Sequence, residues 1–168
     1  IRPFEMSDLD AAYHLFDVEL ADSQMGAEKL TSRDEREDWL RWSVLNHRQL
    51  ALLNQPPYGD RAIVLKDSGG LIGSCGYVPA LNPFECLPGW PGQATAKNPE
   101  SSTEFALFYA ISPRHRGQGY ANEAVSAMID YVFMHLHLKR IIAETDFDNT
   151  GSIAVMRSLG MKILTNPS

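Results

Sequence analysis

Residues 104–137 read EFALFYAISPRHRGQGYANEAVSAMIDYVFMHLH, and three kinds of pattern follow one another within them. Glu104 to Ile111 has the composition and length of a strand, and Ser112-Pro113 stops it. Tyr120 to His137 carries Ala121, Ala124, Val125, Met128, Ile129 and Val132 on one helical stripe. Between them stands Arg114-His115-Arg116-Gly117-Gln118-Gly119. A helix start leaves about four backbone N–H groups unpaired and carries a partial positive charge, so an anion placed there is held by the main chain. Gly117 and Gly119 permit the close approach this needs, while Arg114, His115 and Arg116 add charge or hydrogen-bond donors beside it. A glycine pair alone is equally the mark of a plain turn with solvent-facing arginines, and the strand-turn-helix context favours the anion. The turn lacks the Gly-Lys-Ser/Thr ending of a P-loop, and Asn122 stands where a dinucleotide fingerprint has its third glycine. What remains is a phosphate ligand with no metal requirement.

Outward from this centre the periods alternate. Ile1 to Phe4 reads as a short strand, and Ser7 with Asp10 forms the capping box of a first helix bearing Leu9, Ala12, Tyr13, Leu15 and Phe16. Ser32 with Glu35 caps a second, longer helix that ends before Pro56-Pro57, with a break near Asn46. Ala62–Leu65 and Leu71–Val78 form a hairpin about Asp67-Ser68-Gly69-Gly70. Pro79 to Ser102, with five prolines, reads as a long loop. Arg140–Thr145 is a further strand, Ser152–Leu159 a short helix stopped by Gly160, and Met161–Leu164 the beginning of one more strand. The fold class is therefore mixed α/β (α+β), a mostly antiparallel sheet flanked by helices in a single domain of 168 residues.

Composition bounds the rest. The net charge of −6 argues against nucleic acid, and it suits an amine-bearing substrate as well as plain solubility. No apolar run reaches the roughly 18 residues of a membrane span. Cys75 and Cys86 spell neither a disulfide framework nor a metal motif, which points to a reducing, cytoplasmic setting. His135 and His137 sit beside Lys139 and Arg140 at a helix end, and His14 and His47 are isolated, so no metal is expected.

The sequence resembles the GNAT acetyltransferase superfamily, whose hallmark Gln/Arg-x-x-Gly-x-Gly/Ala is matched by Arg114 to Gly119. The opening IRPFEMSDLDAAYHLF, the run YAISPRHRGQGYANEAV and the later FDNTGSIAVMRSLGM resemble the branch containing ribosomal-protein-alanine N-acetyltransferases. The resemblance implies a twisted sheet splayed between strands 4 and 5, with acetyl-coenzyme A as co-substrate. Its pantetheine arm would pair with Tyr109, Ala110 and Ile111, and its pyrophosphate would lie on the amides of Arg116, Gly117, Gln118, Gly119 and Tyr120, with Arg114 beside it. Ala121 keeps the first helical turn small, and Asn149 matches the family's asparagine that bonds the pantetheine. Relatives continue past Leu164 into another strand, so the last C-terminal strand is expected to be lacking here, and an open sheet edge would permit a homodimer.

The same resemblance implies direct attack of a primary amine, on a small molecule or a peptide, upon the thioester. The amide of Phe108 or Tyr109 is the expected oxyanion donor. Ser152, in the pattern Asn-x-x-Ser, is the candidate for contacting the departing sulfur, and a simple capping role fits it equally. Relatives carry the base at a position that is Ala106 here; Glu104 shares its face by strand alternation and is the candidate base, with an exposed strand start as the alternative. Trp39, Trp42, Trp90, Tyr77 and Phe84 are candidate linings of the acceptor cleft, although Trp39 and Trp42 also have core spacing. Two other functions fit the turn: a non-catalytic acyl-coenzyme A sensor, which Ala106 permits, and a simple nucleotide-binding module.

Overall fold

The computed structural model describes residues 1–21, 32–92 and 100–166. Four strands, β1 (Arg2–Pro3), β2 (Gly59–Val64), β3 (Leu71–Asn82) and β4 (Ser102–Ile111), form one antiparallel sheet in the order β1-β2-β3-β4. Helices α1 (Leu9–Tyr13) and α2 (Arg33–Leu52) go with one face; α3 (Tyr120–Met134) and α4 (Thr150–Ser158) go with the other. The α3 side holds the main core, where Ile72, Cys75, Tyr77, Leu107 and Ile111 meet Val125, Met128 and Val132. The α1–α2 side holds a smaller core of Phe4, Leu40 and Ala62, with the Trp39 ring edge-on to Phe4 and Phe16 at 5.2 Å from each.

Several local expectations are corrected. Ser7 does not open the first helix: it lies inside a 3-10 turn, Met6–Asp8, that begins at Glu5. Asp8 draws the start backward, because its carboxylate accepts from the Glu5 amide at 2.8 Å and from both Arg2 terminal nitrogens at 2.7 Å. α1 runs on as a π-helical turn, His14–Glu19, with Leu20 N–H bonded to Leu15 C=O at 2.9 Å. α2 has the Ser32–Glu35 capping box and no break at Asn46, whose amide donates to the Tyr58 carbonyl at 2.9 Å and leaves its own helix undisturbed.

β3 also outruns its expected end, through Pro79 as far as Asn82, so the loop after Val78 is shorter than anticipated. Odd residues of β3 bond to β2, which starts opposite Tyr77, so at Pro79 the missing N–H removes no ladder bond. Arg140–Thr145 is not a strand: only Ile142 joins the sheet, bridging parallel to Ala106. It accepts from Leu107 N–H at 2.7 Å and donates to Phe105 C=O at 2.9 Å, after which the chain leaves β4. The sheet therefore opens along β4 beyond Leu107, at the place the splay was expected. Met161–Leu164 is irregular, because Met161 N–H ends α4 on Met156 C=O and Leu164 packs with Phe84, Trp90 and Ile142.

Gly76 fixes the central register: a Cβ there would stand 2.2 Å from the Gly59 carbonyl oxygen and 2.6 Å from Phe108 Cζ. Gly76→Ala is expected to lower unfolding stability by more than about 2 kcal/mol, the range of overpacked cores, measured by urea denaturation.

Candidate active site

The glycine turn has the geometry that an anion-binding helix start requires. Ser112 ends β4 fully buried, and its hydroxyl accepts from Arg114 N–H at 3.3 Å, which starts the turn Pro113–His115. Gly117 at φ 72° and Gly119 at φ 87° take the left-handed conformation that other residues resist, and open space surrounds the position of each missing Cβ. Gly119 is the N-cap of α3 and supplies no side-chain cap, so the amides of Tyr120, Ala121 and Asn122 at the first turn remain as donors. These exposed glycines stand directly beyond the β4 end.

Charged residues brace the turn from below. Glu19, at the end of the π-helical turn, accepts from the Ser112 hydroxyl and pairs with the Arg114 guanidinium, and His14 Nδ1 lies 3.0 Å from the same carboxylate. Arg116 donates through Nε to the Ile111 carbonyl at 3.1 Å. Arg114 and Arg116 are thus engaged with protein groups as well as lying beside the turn. Sequence reasoning missed Glu19, which is 93 residues from Ser112 and sits in a helix of irregular period, where spacing carries no signal.

The β4 ladder sorts the neighbouring main-chain groups. Ser112 N–H bonds to Ile72 C=O at 2.8 Å, so even-numbered residues of β4 direct their amides to β3, while on the other edge Leu107 donates its amide to Ile142 C=O and the Phe105 carbonyl accepts from Ile142 N–H. Of the two expected oxyanion donors, Phe108 therefore lies within the β3–β4 ladder, and Tyr109 points its N–H and C=O to the edge that opens after Leu107. The main-chain groups of Ala110 likewise face β3, and the Ile111 carbonyl is taken by Arg116.

α4 closes this edge from the other side. Asn149 is its N-cap, with Oδ1 accepting from Ser152 N–H at 3.1 Å and the side-chain amide group left as a donor. Tyr109 donates from its hydroxyl to the Ser152 carbonyl at 3.1 Å, and burial pushes that phenol up from its usual value. Tyr109, Asn149 and Ser152, distant in sequence, are thereby brought to one edge.

Glu104 and Ala106 lie on the opposite sheet face from Tyr109. The Glu104 carboxylate is buried and bonded to the Arg140 guanidinium, which that bond keeps strongly protonated; Arg140 in turn lies 4.3 Å over the Trp90 ring. Trp90 stacks on Phe84 at 5.3 Å, next to Ala106. Of the aromatic residues expected to line a cleft, this pair borders the face with residue 106. Trp39 belongs to the core, Trp42 is exposed on α2, and Tyr77 faces α3. A cavity of about 320 Å³ between Arg61, Tyr77, Met128 and Tyr131 lies on that other face, away from the turn. Residues 22–31 and 93–99, part of the expected acceptor region, lie outside the described residues.

Two further groups carry chemistry. Burial pushes the Cys75 thiol up to about 12, so it is no thiolate nucleophile at neutral pH. Burial also pushes the Asp60 carboxyl on β2 up to about 6, against a weak 3.4 Å bond from the Ser74 hydroxyl and the more distant charge of Arg36. Arg36 is itself committed to a bidentate pair with Asp17 at 2.8 and 2.9 Å.

With this geometry in hand, comparisons with known proteins agree on a family. The model described as "Acetyltransferase (GNAT) domain" matches residues 1–162. The chain is 32% identical over 101 residues to "Uncharacterized N-acetyltransferase p20" of Bacillus licheniformis, a match over 60% of this chain and 47% of that protein. The chain thus spans about half the length of this curated relative. It has the fold of a GNAT-family acetyltransferase from Bacillus anthracis, with a TM-score of 0.68 and 18% identity, covering 96% of this chain and 78% of that one. The ribosomal-protein-S5-alanine acetyltransferase from Vibrio fischeri shares it as well, with a TM-score of 0.66 and 22% identity, covering 95% and 76%.

Asp60 yields a pH prediction. Its folded value of about 6 exceeds the ordinary 3.8, so the folded state holds the extra proton between these values and stability falls as pH rises through that window. Asp60→Asn is therefore expected to raise stability by about 1–3 kcal/mol at pH 7.5 and to change it little at pH 4, read as melting temperature at the two pH values.

Proposed function

The chain belongs to the GNAT acetyltransferase family, and on that premise we propose that it transfers the acetyl group of acetyl-coenzyme A to a primary amine in a ternary complex. The observation carrying this reading is the alignment of the α3 cradle with the open β4 edge. The amides at Gly117, Gly119, Tyr120 and Ala121 receive the pyrophosphate, and Tyr109 N–H and C=O pair with the pantetheine as a further strand would. Asn149 offers its side-chain amide to the same arm from the head of α4.

In the chemical step the amine nitrogen bonds to the thioester carbon, and the oxygen gains charge opposite Tyr109 N–H. The carbon–sulfur bond then breaks, the nitrogen gives up its proton to a water molecule acting as base, and the sulfur leaves as thiolate to be protonated by water beside Ser152. No enzyme nucleophile is needed. Glu104, the base expected from strand alternation, would have to exchange its Arg140 partner for an amine proton, so in this reading it acts through a water or contributes field alone. That commitment, with Ala106, favours one competing reading, a non-catalytic acyl-coenzyme A-binding module.

Wild-type protein is expected to release free coenzyme A thiol from acetyl-coenzyme A when supplied with a primary amine, monitored with a thiol reagent. Cofactor binding without amine-dependent release across amine classes would favour the sensor. Gly119→Ala, which imposes about 1–2 kcal/mol of left-handed strain on the cradle, is expected to raise the KM for acetyl-coenzyme A roughly tenfold. Its effect on acetyl-pantetheine, which lacks the pyrophosphate, is expected to stay within about twofold.

A further inference from the structure

On the α1–α2 face of the sheet, apolar cover comes in separate patches. Phe4, Leu40 and Ala62 with Val64 and Leu71, and next to them Leu15, Leu20 and Ala110, cover one end. Phe84, Trp90 and Ile142 with Ala80 and Ala106 cover the other. Between them runs a row of cross-strand neighbours, Asp60 on β2, Gly76 on β3 and Phe108 on β4, all on this face. Phe108 and its neighbour Val78 belong to none of the apolar clusters, and both are half-buried. Gly76 has no side chain to interrupt the row, and the tip of the Phe108 ring lies over it. The row thus runs from the open β4 edge to a carboxylate, with the Phe108 phenyl ring lying along it.

That carboxylate is poorly matched by the protein. Asp60 is half-buried, and among the described residues no cation pairs with it: Arg36 is bound by Asp17, and the Ser74 hydroxyl is 3.4 Å away. His47 on α2 reaches the Asp60 main-chain carbonyl at 3.4 Å rather than the carboxylate, and burial holds its imidazole below the usual value. Ser43, one turn earlier on the same stripe of α2, is 2% exposed and its hydroxyl has no partner among the described residues. A desolvated carboxylate kept without a counter-ion destabilises the fold, and such costs are concentrated where a ligand supplies the missing charge.

Strand spacing sets the scale. Asp60 lies two strands from Phe108, about 10 Å, and a chain paired to the open edge of β4 adds a third spacing, about 14 Å in all. Allowing about 3 Å at each end for the ion pair and the attacking nitrogen leaves about 8 Å between two nitrogens of one acceptor.

We propose that Asp60 is the specificity-determining residue of the acceptor site, selecting amines that carry a second positive charge about 8 Å from the reacting nitrogen, with the connecting chain laid along Phe108. This rests on the acetyl-transfer reading above. The second cation replaces the missing partner of Asp60, and an apolar or anionic tail leaves the half-buried carboxylate unpaired.

The probes are 1,5-diaminopentane and 1-aminopentane, which share chain length and reacting amine and differ in the second charge. Wild-type protein is expected to show at least a tenfold higher kcat/KM for the diamine. Asp60→Asn is expected to reduce that preference to within twofold while leaving the KM for acetyl-coenzyme A unchanged. Equal rates for the two amines in the wild type, or a preference that survives Asp60→Asn, overturns the proposal. If neither amine is turned over, the acetyl-transfer reading fails for these acceptors and calorimetric titration of the protein with 1,5-diaminopentane decides the Asp60 assignment alone. Binding that weakens at least tenfold in Asp60→Asn supports it, and no binding, or binding indifferent to the substitution, overturns it.

Discussion

The structure depends on unpaired main-chain amides at the head of α3 and on the conformations that keep them unpaired. A helix start can satisfy its own donors with a serine or aspartate cap; here the N-cap is Gly119, with φ 87° and no side chain to offer. The chain therefore forgoes the capping stabilisation, about 1 kcal/mol in ordinary helices, and leaves a positive pole facing outward. The rest of the fold holds that pole in place. β4 delivers the turn, the buried Ser112 hydroxyl and Glu19 fix its base, and Arg116 ties it back to Ile111. In the proposed reading, an anion held by backbone rather than by lysines is compatible with the acidic net charge of the chain.

The second constraint is the parting of β4 from its neighbour. Ile142 satisfies β4 through Phe105 and Leu107 and then leaves, while α4 is drawn to the same edge by the Tyr109 hydroxyl on the Ser152 carbonyl. Tyr109 is thus presented with its main chain free among the described residues and its side chain anchored. The glycine turn lies a few residues beyond the β4 end along the same chain, so in the proposed reading the distance from pyrophosphate to thioester is set by a short covalent path.

Much of this was legible in the sequence because it is local. The strand end, the two glycines and the α3 stripe occupy one uninterrupted stretch, and each carries a distinct period. The Ser32–Glu35 cap was readable for the same reason. What escaped was set by distant partners. Ser7 lost the helix start because Arg2 organises Asp8; Arg140–Thr145 lost its strand because only Ile142 finds β4 while Arg140 turns to Glu104; and β3 absorbs Pro79 because β2 has already ended. Glu19 and Asp60 had no signature at all, since an isolated carboxylate becomes informative only when its burial and neighbours are known. Residue 106 illustrates the opposite case: its alanine was conspicuous in sequence, and the structure shows the nearby Glu104 bound to a guanidinium.

The account stands on where the cofactor touches the main chain, and backbone amide NMR during titration with acetyl-coenzyme A reads that directly. The largest shift changes are expected at Gly117, Gly119, Tyr120 and Tyr109, with Phe108, inside the β3–β4 ladder, responding less than Tyr109. Saturable shifts centred instead on Arg61, Tyr77 and Tyr131 at the opposite face, with the glycine turn unperturbed, would contradict it.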